Sequence, residues 1–158
     1  MIKLIKNVKV YSPDFLGTKE VLILGDKIAG IEDEIKLNVS CMEVEEIDGT
    51  GKILTPGFID SHVHILGGGG EGGFKTRTPE ITLTTLTKAG VTTVVGTLGT
   101  DGLARDTSAL LAKARGLEEE GITSYIYTGA YQVPTPTLTG DAMKDIMSIA
   151  VSYTHLTL

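Results

Sequence analysis

Cysteine is almost missing from this chain. Cys41 is the single one in 158 residues, so no internal disulfide can form and nothing points to an oxidising, secreted setting. Positive charge is also in deficit: 14 Lys and Arg stand against 20 Asp and Glu, a formal charge of −6 and a pI of about 5.0. With no basic stripe to displace counterions, nucleic acid is excluded as a general partner. Long apolar runs are missing as well. No stretch approaches the roughly 20 apolar residues of a membrane span, and the opening MIKLIKNVKV alternates charge with apolar residues instead of carrying a signal-peptide core. No membrane partner is expected, and the expected compartment is the cytoplasm. What remains is 41% hydrophobic and 22% charged with a mean hydropathy of +0.15, the balance of a globular chain and not of a disordered one.

Two rhythms divide the chain. Residues 1–55 read as all-β. Ile2–Val10 alternates apolar with charged residues, Ser12-Pro13-Asp14 turns, and Glu20–Leu24, Lys27–Ile31 and Val44–Ile47 follow as short strands. Asp48-Gly49-Thr50-Gly51 is a tight turn. The block predicts a small sheet or half-sandwich. From 56 to 150 the pattern is βαβα: an apolar run over Ile53–Ile65 expected to be a strand buried on both faces, a helix over Thr78–Ala89, a strand over Val91–Leu98, a helix over Asp106–Glu120, a strand over Ile122–Thr128 and a helix from Asp141. Thr78 is the predicted N-cap of the first helix, Leu110, Leu111, Ala114 and Leu117 form the stripe of the second, and Met143, Ile146 and Met147 one side of the third. Successive strand–helix units predict a parallel α/β domain.

Chemistry concentrates where the first of these strands ends. In Ile59-Asp60-Ser61-His62-Val63-His64, residues two apart point to one side of a strand, so Asp60, His62 and His64 share a face. Two imidazoles so placed can chelate one divalent ion, with Asp60 orienting them; a pair of hydrogen-bonded core histidines is the alternative. The following Gly67-Gly68-Gly69-Gly70-Glu71-Gly72-Gly73 lets backbone approach a ligand closely. Its single carboxylate, Glu71, suits a substrate ammonium and argues against a phosphate nest, while a flexible loop with a solvated glutamate remains open. Thr100 can act on a ligand or cap a turn. Tyr131 can act through its hydroxyl or pack beside Pro134. Arg77 and Arg105 are expected to be solvated.

The stretch Ile47-Asp48-Gly49-Thr50-Gly51-Lys52-Ile53-Leu54-Thr55-Pro56-Gly57-Phe58-Ile59-Asp60-Ser61-His62-Val63-His64 resembles the barrel entry of the metal-dependent amidohydrolase superfamily. His62 through Glu71, Thr76-Arg77-Thr78-Pro79-Glu80, Val95-Gly96-Thr97-Leu98-Gly99-Thr100-Asp101 and Gly129-Ala130-Tyr131-Gln132-Val133-Pro134 resemble, within it, the isoaspartyl (β-aspartyl) dipeptidases. The resemblance implies an α/β fold: the first three β/α units of an amidohydrolase-type (β/α)8 TIM barrel, preceded by a small N-terminal β domain. It implies a zinc-dependent hydrolase with two Zn2+ per active site, acting on small β-aspartyl dipeptides and homo-oligomeric when full-length. His62 and His64 match metal ligands. Gly69 and Glu71 match the groups that hold the substrate's α-amino end, Thr100 a contact to the aspartyl moiety, and Tyr131 the hydroxyl that polarises the scissile carbonyl.

A whole barrel takes about 250 residues, so this chain is expected to be a truncated, N-terminal part. Residues 151–158 depart from the family pattern: a metal-bridging lysine is implied near position 156, where the chain has Leu156, and His155 matches no motif. The chain alone is therefore expected to be inactive. Two other readings stand beside this one, a cyclic-amide amidohydrolase of the dihydroorotase or hydantoinase type and a non-catalytic fragment.

Overall fold

Alternation shapes the first strand, β1 (Ile2–Tyr11), which buries Ile2, Leu4, Val8 and Val10 and exposes Asn7 and Lys9. In the computed structural model, which describes residues 1–149 and 152–154, β1 is the centre of one sheet. β2 (Phe15–Leu24) runs antiparallel to it and β3 (Lys27–Glu32) antiparallel to β2 across the turn at Gly25-Asp26. β4 (Val44–Asp48) and β5 (Ile53–Leu54) both pair with β1 in parallel. Val8, Val10 and Val21 form the small core of this unit, Met1–Pro56, with Ile5, Ile23, Ile31 and Leu54 packed against them.

The second unit starts at Gly57. It contains β6 (Phe58–Val63), α1 (Leu83–Lys88), β7 (Val91–Gly96), α2 (Thr107–Glu119), β8 (Thr123–Thr128), α3 (Ala142–Ser148) and β9 (Ser152–Thr154). The strands are all parallel, in the order β6-β7-β8-β9. This is the βαβ arrangement expected from the periodicity. Its core is Val63, Ile65, Leu66, Leu86, Val94, Leu98, Leu110, Ala114, Leu117, Ile122 and Ile126. α2 supplies Leu110, Ala114 and Leu117 at the predicted spacing, capped by Asp106, whose carboxylate accepts from the Ala109 amide at 2.7 Å. Among the described residues no helix is long and apolar enough to cross a membrane.

Four expectations need correction. The run Ile53–Ile65 is not one buried strand. It breaks at Thr55-Pro56-Gly57 into β5 and β6, and Phe58 and Ile59 are exposed because β6 pairs only with β7 among the described strands. The first helix begins at Leu83 and not Thr78, because the Thr78 hydroxyl is engaged with Gly68, accepting from its amide at 2.7 Å. On α3 the methionines Met143 and Met147 are exposed and the buried residue is Asp145. The segment after α3 departs less than expected: the backbone of Ser152–Thr154 continues the sheet as a fourth parallel strand. Leu156 and His155 lie outside the described residues.

Candidate active site

The residues that match the family's site lie at the end of a parallel strand or in the loop that follows it. His62 is in β6 and His64 just past its end; Gly69 and Glu71 follow on the same loop. Thr100 follows β7, and Tyr131 follows β8. Parallel sheets place ligands at this carboxyl edge because all the connecting loops gather there.

His62 and His64 come together, their ring centroids 5.5 Å apart in an edge-on arrangement. With Tyr131, Thr97, Tyr127 and Gly129 they line one cavity. Tyr131 is 61% exposed, so its ring does not fill a core position. Burial, and then the positive charges of His62 and Arg105, push the His64 imidazole below its usual pKa, while Glu71 pulls the other way. The neutral ring is the form that offers a lone pair. Within β6 the Asp60 carboxylate accepts from the backbone amide of His62 at 3.1 Å.

The second cluster is Glu71 and Thr100. The Thr100 hydroxyl donates to the Glu71 carboxylate. That bond, then a backbone amide, holds the Glu71 carboxyl below the usual range against its desolvation; His64 favours the same direction and Asp101 opposes it. The two clusters meet at His64, whose ring packs against the backbone of Gly68 on one side and Gly99 on the other. Gly69 lies in the neck of the loop, with its carbonyl facing Arg105.

Whether a metal fits is answered by the donors. His64 Nδ1 is buried with no hydrogen-bond partner, which suits an imidazole that serves a ligand other than protein. Two imidazoles are part of a ligand set, since a catalytic zinc takes three protein ligands. Among the described residues no group of three or more His, Cys, Asp or Glu is gathered for a metal. His62 and His64 therefore fit as a partial set.

Three residues that matter to the site escape the sequence reading. Arg105, expected to be solvated, is 7% exposed. Its Nη1 donates to the carbonyls of Gly68 at 3.2 Å and Gly69 at 3.3 Å, and its Nη2 to that of Thr78 at 2.9 Å. Arg77, by contrast, stays exposed as expected and pairs with Asp101 at 2.9 Å. Asp145 accepts from the amides of Leu138 and Thr139, each at 2.8 Å, and from the Thr139 hydroxyl at 2.7 Å, tying α3 to the loop that carries Tyr131. Tyr127 donates to the Ser61 carbonyl at 3.0 Å, bridging β8 to β6 beside the histidines. Only Tyr127 left a trace in the sequence, through the alternation in Thr123–Thr128 that sets Tyr125 and Tyr127 opposite buried Ser124, Ile126 and Thr128.

No family model matches the chain. Among curated proteins, a dihydroorotase of Staphylococcus epidermidis is 43% identical over 70 residues, 44% of this chain and 16% of that protein. A dihydroorotase of Listeria monocytogenes is 48% identical over 56 residues, 35% and 12% respectively. The chain thus spans less than a fifth of the curated relatives it matches. Among solved structures, the β-aspartyl dipeptidase of Fervidobacterium islandicum AW-1, crystallised with the β-Asp-Leu dipeptide, is 50% identical with a TM-score of 0.91. The match covers 96% of this chain and 39% of that one. The chain resembles the N-terminal part of a β-aspartyl dipeptidase. The expected likeness to β-aspartyl dipeptidases is thereby borne out, and so is the fold, a small sheet followed by parallel β/α units of the amidohydrolase kind. A dihydropyrimidinase of Brevibacillus agri, 22% identical with a TM-score of 0.56 over 94% of this chain and 31% of its own, shares the fold.

Proposed function

We propose that the full-length protein carrying this chain is a zinc-dependent hydrolase that cleaves the isopeptide bond of β-aspartyl dipeptides. What supports the reading most is the 50% identity, over 96% of this chain, to a β-aspartyl dipeptidase crystallised with β-Asp-Leu. Glu71, with the Gly69 carbonyl, receives the substrate's α-ammonium, an ion-paired contact that fixes the dipeptide against the strand ends. Thr100 orients that carboxylate and reaches the aspartyl moiety. The Tyr131 hydroxyl donates a hydrogen bond to the scissile carbonyl oxygen and steadies the oxyanion as it forms. His62 and His64 would hold part of a centre of two Zn2+ ions, which would supply an activated water and a Lewis acid for the carbonyl. Residues 1–55 are the N-terminal β domain and 56–150 the opening of the catalytic barrel. The 158-residue stretch alone is inactive, its described residues bringing together only two of the imidazoles that such a centre takes. The full-length enzyme is a homo-oligomer of the cytoplasm.

A cyclic-amide hydrolase of the dihydroorotase type is the second reading, favoured by the 43% identity over 70 residues. Glu71 separates the two. A cyclic amide carries no ammonium to pair with the carboxylate that Thr100 holds ionised. The test is to assay the full-length protein, with its zinc content measured, on β-Asp-Leu, dihydroorotate and hydantoin. Cleavage of β-Asp-Leu alone is expected. Turnover of the cyclic amides without the dipeptide overturns the reading, and so does a metal-poor, inactive full-length protein.

A further inference from the structure

The loop from β6 to α1 is closed at a neck. The Thr78 amide donates to the Gly68 carbonyl at 3.0 Å, the Thr78 hydroxyl accepts from the Gly68 amide at 2.7 Å, and Glu71 lies between these two points. The loop following β7 grips this neck. Thr100 binds Glu71, Asp101 binds Arg77, and Arg105 sends its guanidinium to three carbonyls: Gly68 and Gly69 on the outgoing strand of the neck and Thr78 on the return.

A buried cation needs compensation. Among the described residues no carboxylate lies within ion-pair distance of Arg105, so the three carbonyl dipoles supply it. Guanidinium suits this place because it is a flat fork with five donors that stays charged at any working pH. One nitrogen serves two consecutive carbonyls while the next crosses to the other side of the neck. An ammonium has neither the span nor the planarity to do both.

We propose that Arg105 is a positioning residue for amine recognition, fixing the Gly69 carbonyl and, through the neck, the Glu71 carboxylate where they receive the α-ammonium of the substrate. The proposal rests on the β-aspartyl dipeptidase reading. It predicts a selective defect, because Gly69 and Glu71, in that reading, meet only the amine end of the substrate.

The test compares Arg105→Ala and Arg105→Lys with the unaltered full-length protein, using β-Asp-Leu as substrate and succinyl-leucine, which lacks the α-amino group, as competitive inhibitor. Both variants should raise KM for β-Asp-Leu about tenfold with kcat changed less than about threefold. The inhibition constant of succinyl-leucine and the zinc content should stay unchanged. Added guanidine should restore KM in the Ala variant and not in the Lys variant. An unchanged KM, or equal weakening of substrate and inhibitor, overturns the proposal. If Arg105→Ala does not fold, amide exchange at Gly68 and Thr78 in Arg105→Lys decides. Faster exchange there, together with the selective KM defect, supports the role, and unaltered exchange refutes it. If the unaltered protein fails to cleave β-Asp-Leu, the functional reading itself falls and takes the proposal with it. Cleavage with an unselective Arg105 defect overturns the proposal alone.

Discussion

Thr100 and Glu71 stand 29 residues apart and share one hydrogen bond, hydroxyl to carboxylate, that joins the loop after β6 to the loop after β7. The bond stabilises the ionised form of Glu71, the form that can pair with an ammonium. Neither loop has regular structure at that point, so the contact orders both at once.

Removing the hydroxyl should be visible as a titration. In Thr100→Val the Glu71 carboxyl should titrate closer to an ordinary glutamate, upward from its depressed position, because the Thr100 bond is the largest of the influences lowering it. The sign for stability follows: a carboxyl depressed in the folded state contributes stability above its unfolded pKa and loses it as pH falls through the folded value. The variant should therefore show a weaker acid dependence of loop ordering. NMR titration of the Glu71 side chain checks this, and an unmoved midpoint contradicts it.

The histidines give a second expectation. His62→Ala and His64→Ala in the full-length protein should each lower zinc content and abolish hydrolysis, since each removes one imidazole from a site that needs at least three protein ligands. Elemental analysis of the purified variants provides the readout. A His62→Ala protein with its full metal complement shows that the pair is structural.

Much of this architecture is legible in the residues. Asp106 and Gly121 bracket α2 where N-cap and stop residues belong, with Gly121 in the left-handed region at φ 100°. The spacing of His62 and His64 puts both rings on one side of the strand end. What escaped the sequence depends on contacts across the fold. Thr78 reads as a helix cap because Pro79 and Glu80 follow it, yet its hydroxyl bonds a residue ten positions earlier. Arg105 reads as a surface cation because no periodicity marks an arginine whose partners are backbone carbonyls. Asp145 sits among Met143, Ile146 and Met147, and the apolar residues on both sides hide that the carboxylate is the buried member.

Asp145 should be the most sensitive residue of the loop that carries Tyr131. Burial by itself would raise its carboxyl, but the bonds from the Thr139 hydroxyl and from the Leu138 and Thr139 amides outweigh it and hold the carboxyl below its usual pKa. Asp145→Asn keeps the shape and turns an acceptor into a donor facing donors, which should destabilise the fold by about 1–3 kcal/mol. The carboxylate's contribution is complete above the ordinary aspartate value of about 3.9 and is lost as pH falls through the lower folded value. The Asn variant should lack that acid-side loss. Urea unfolding across this range measures both effects, and equal stability of the two proteins at neutral pH refutes the assignment.

Gly99 separates backbone strain from site geometry. Its φ is 78°, and a Cβ added there would lie 2.6 Å from Nδ1 of His64. Gly121 also has a positive φ, 100°, but nothing lies within 4 Å of the corresponding Cβ. Alanine at either position carries the left-handed penalty of about 1–2 kcal/mol. Only at Gly99 does the new methyl push an imidazole out of its place beside the Gly68 backbone. In the full-length protein both variants should lose thermal stability, Gly99→Ala the more because of the added clash, and Gly99→Ala alone should lose zinc and hydrolytic activity. If Gly99→Ala keeps both, His64 has room to move without consequence, and the tight seat between Gly68 and Gly99 has no part in holding the metal.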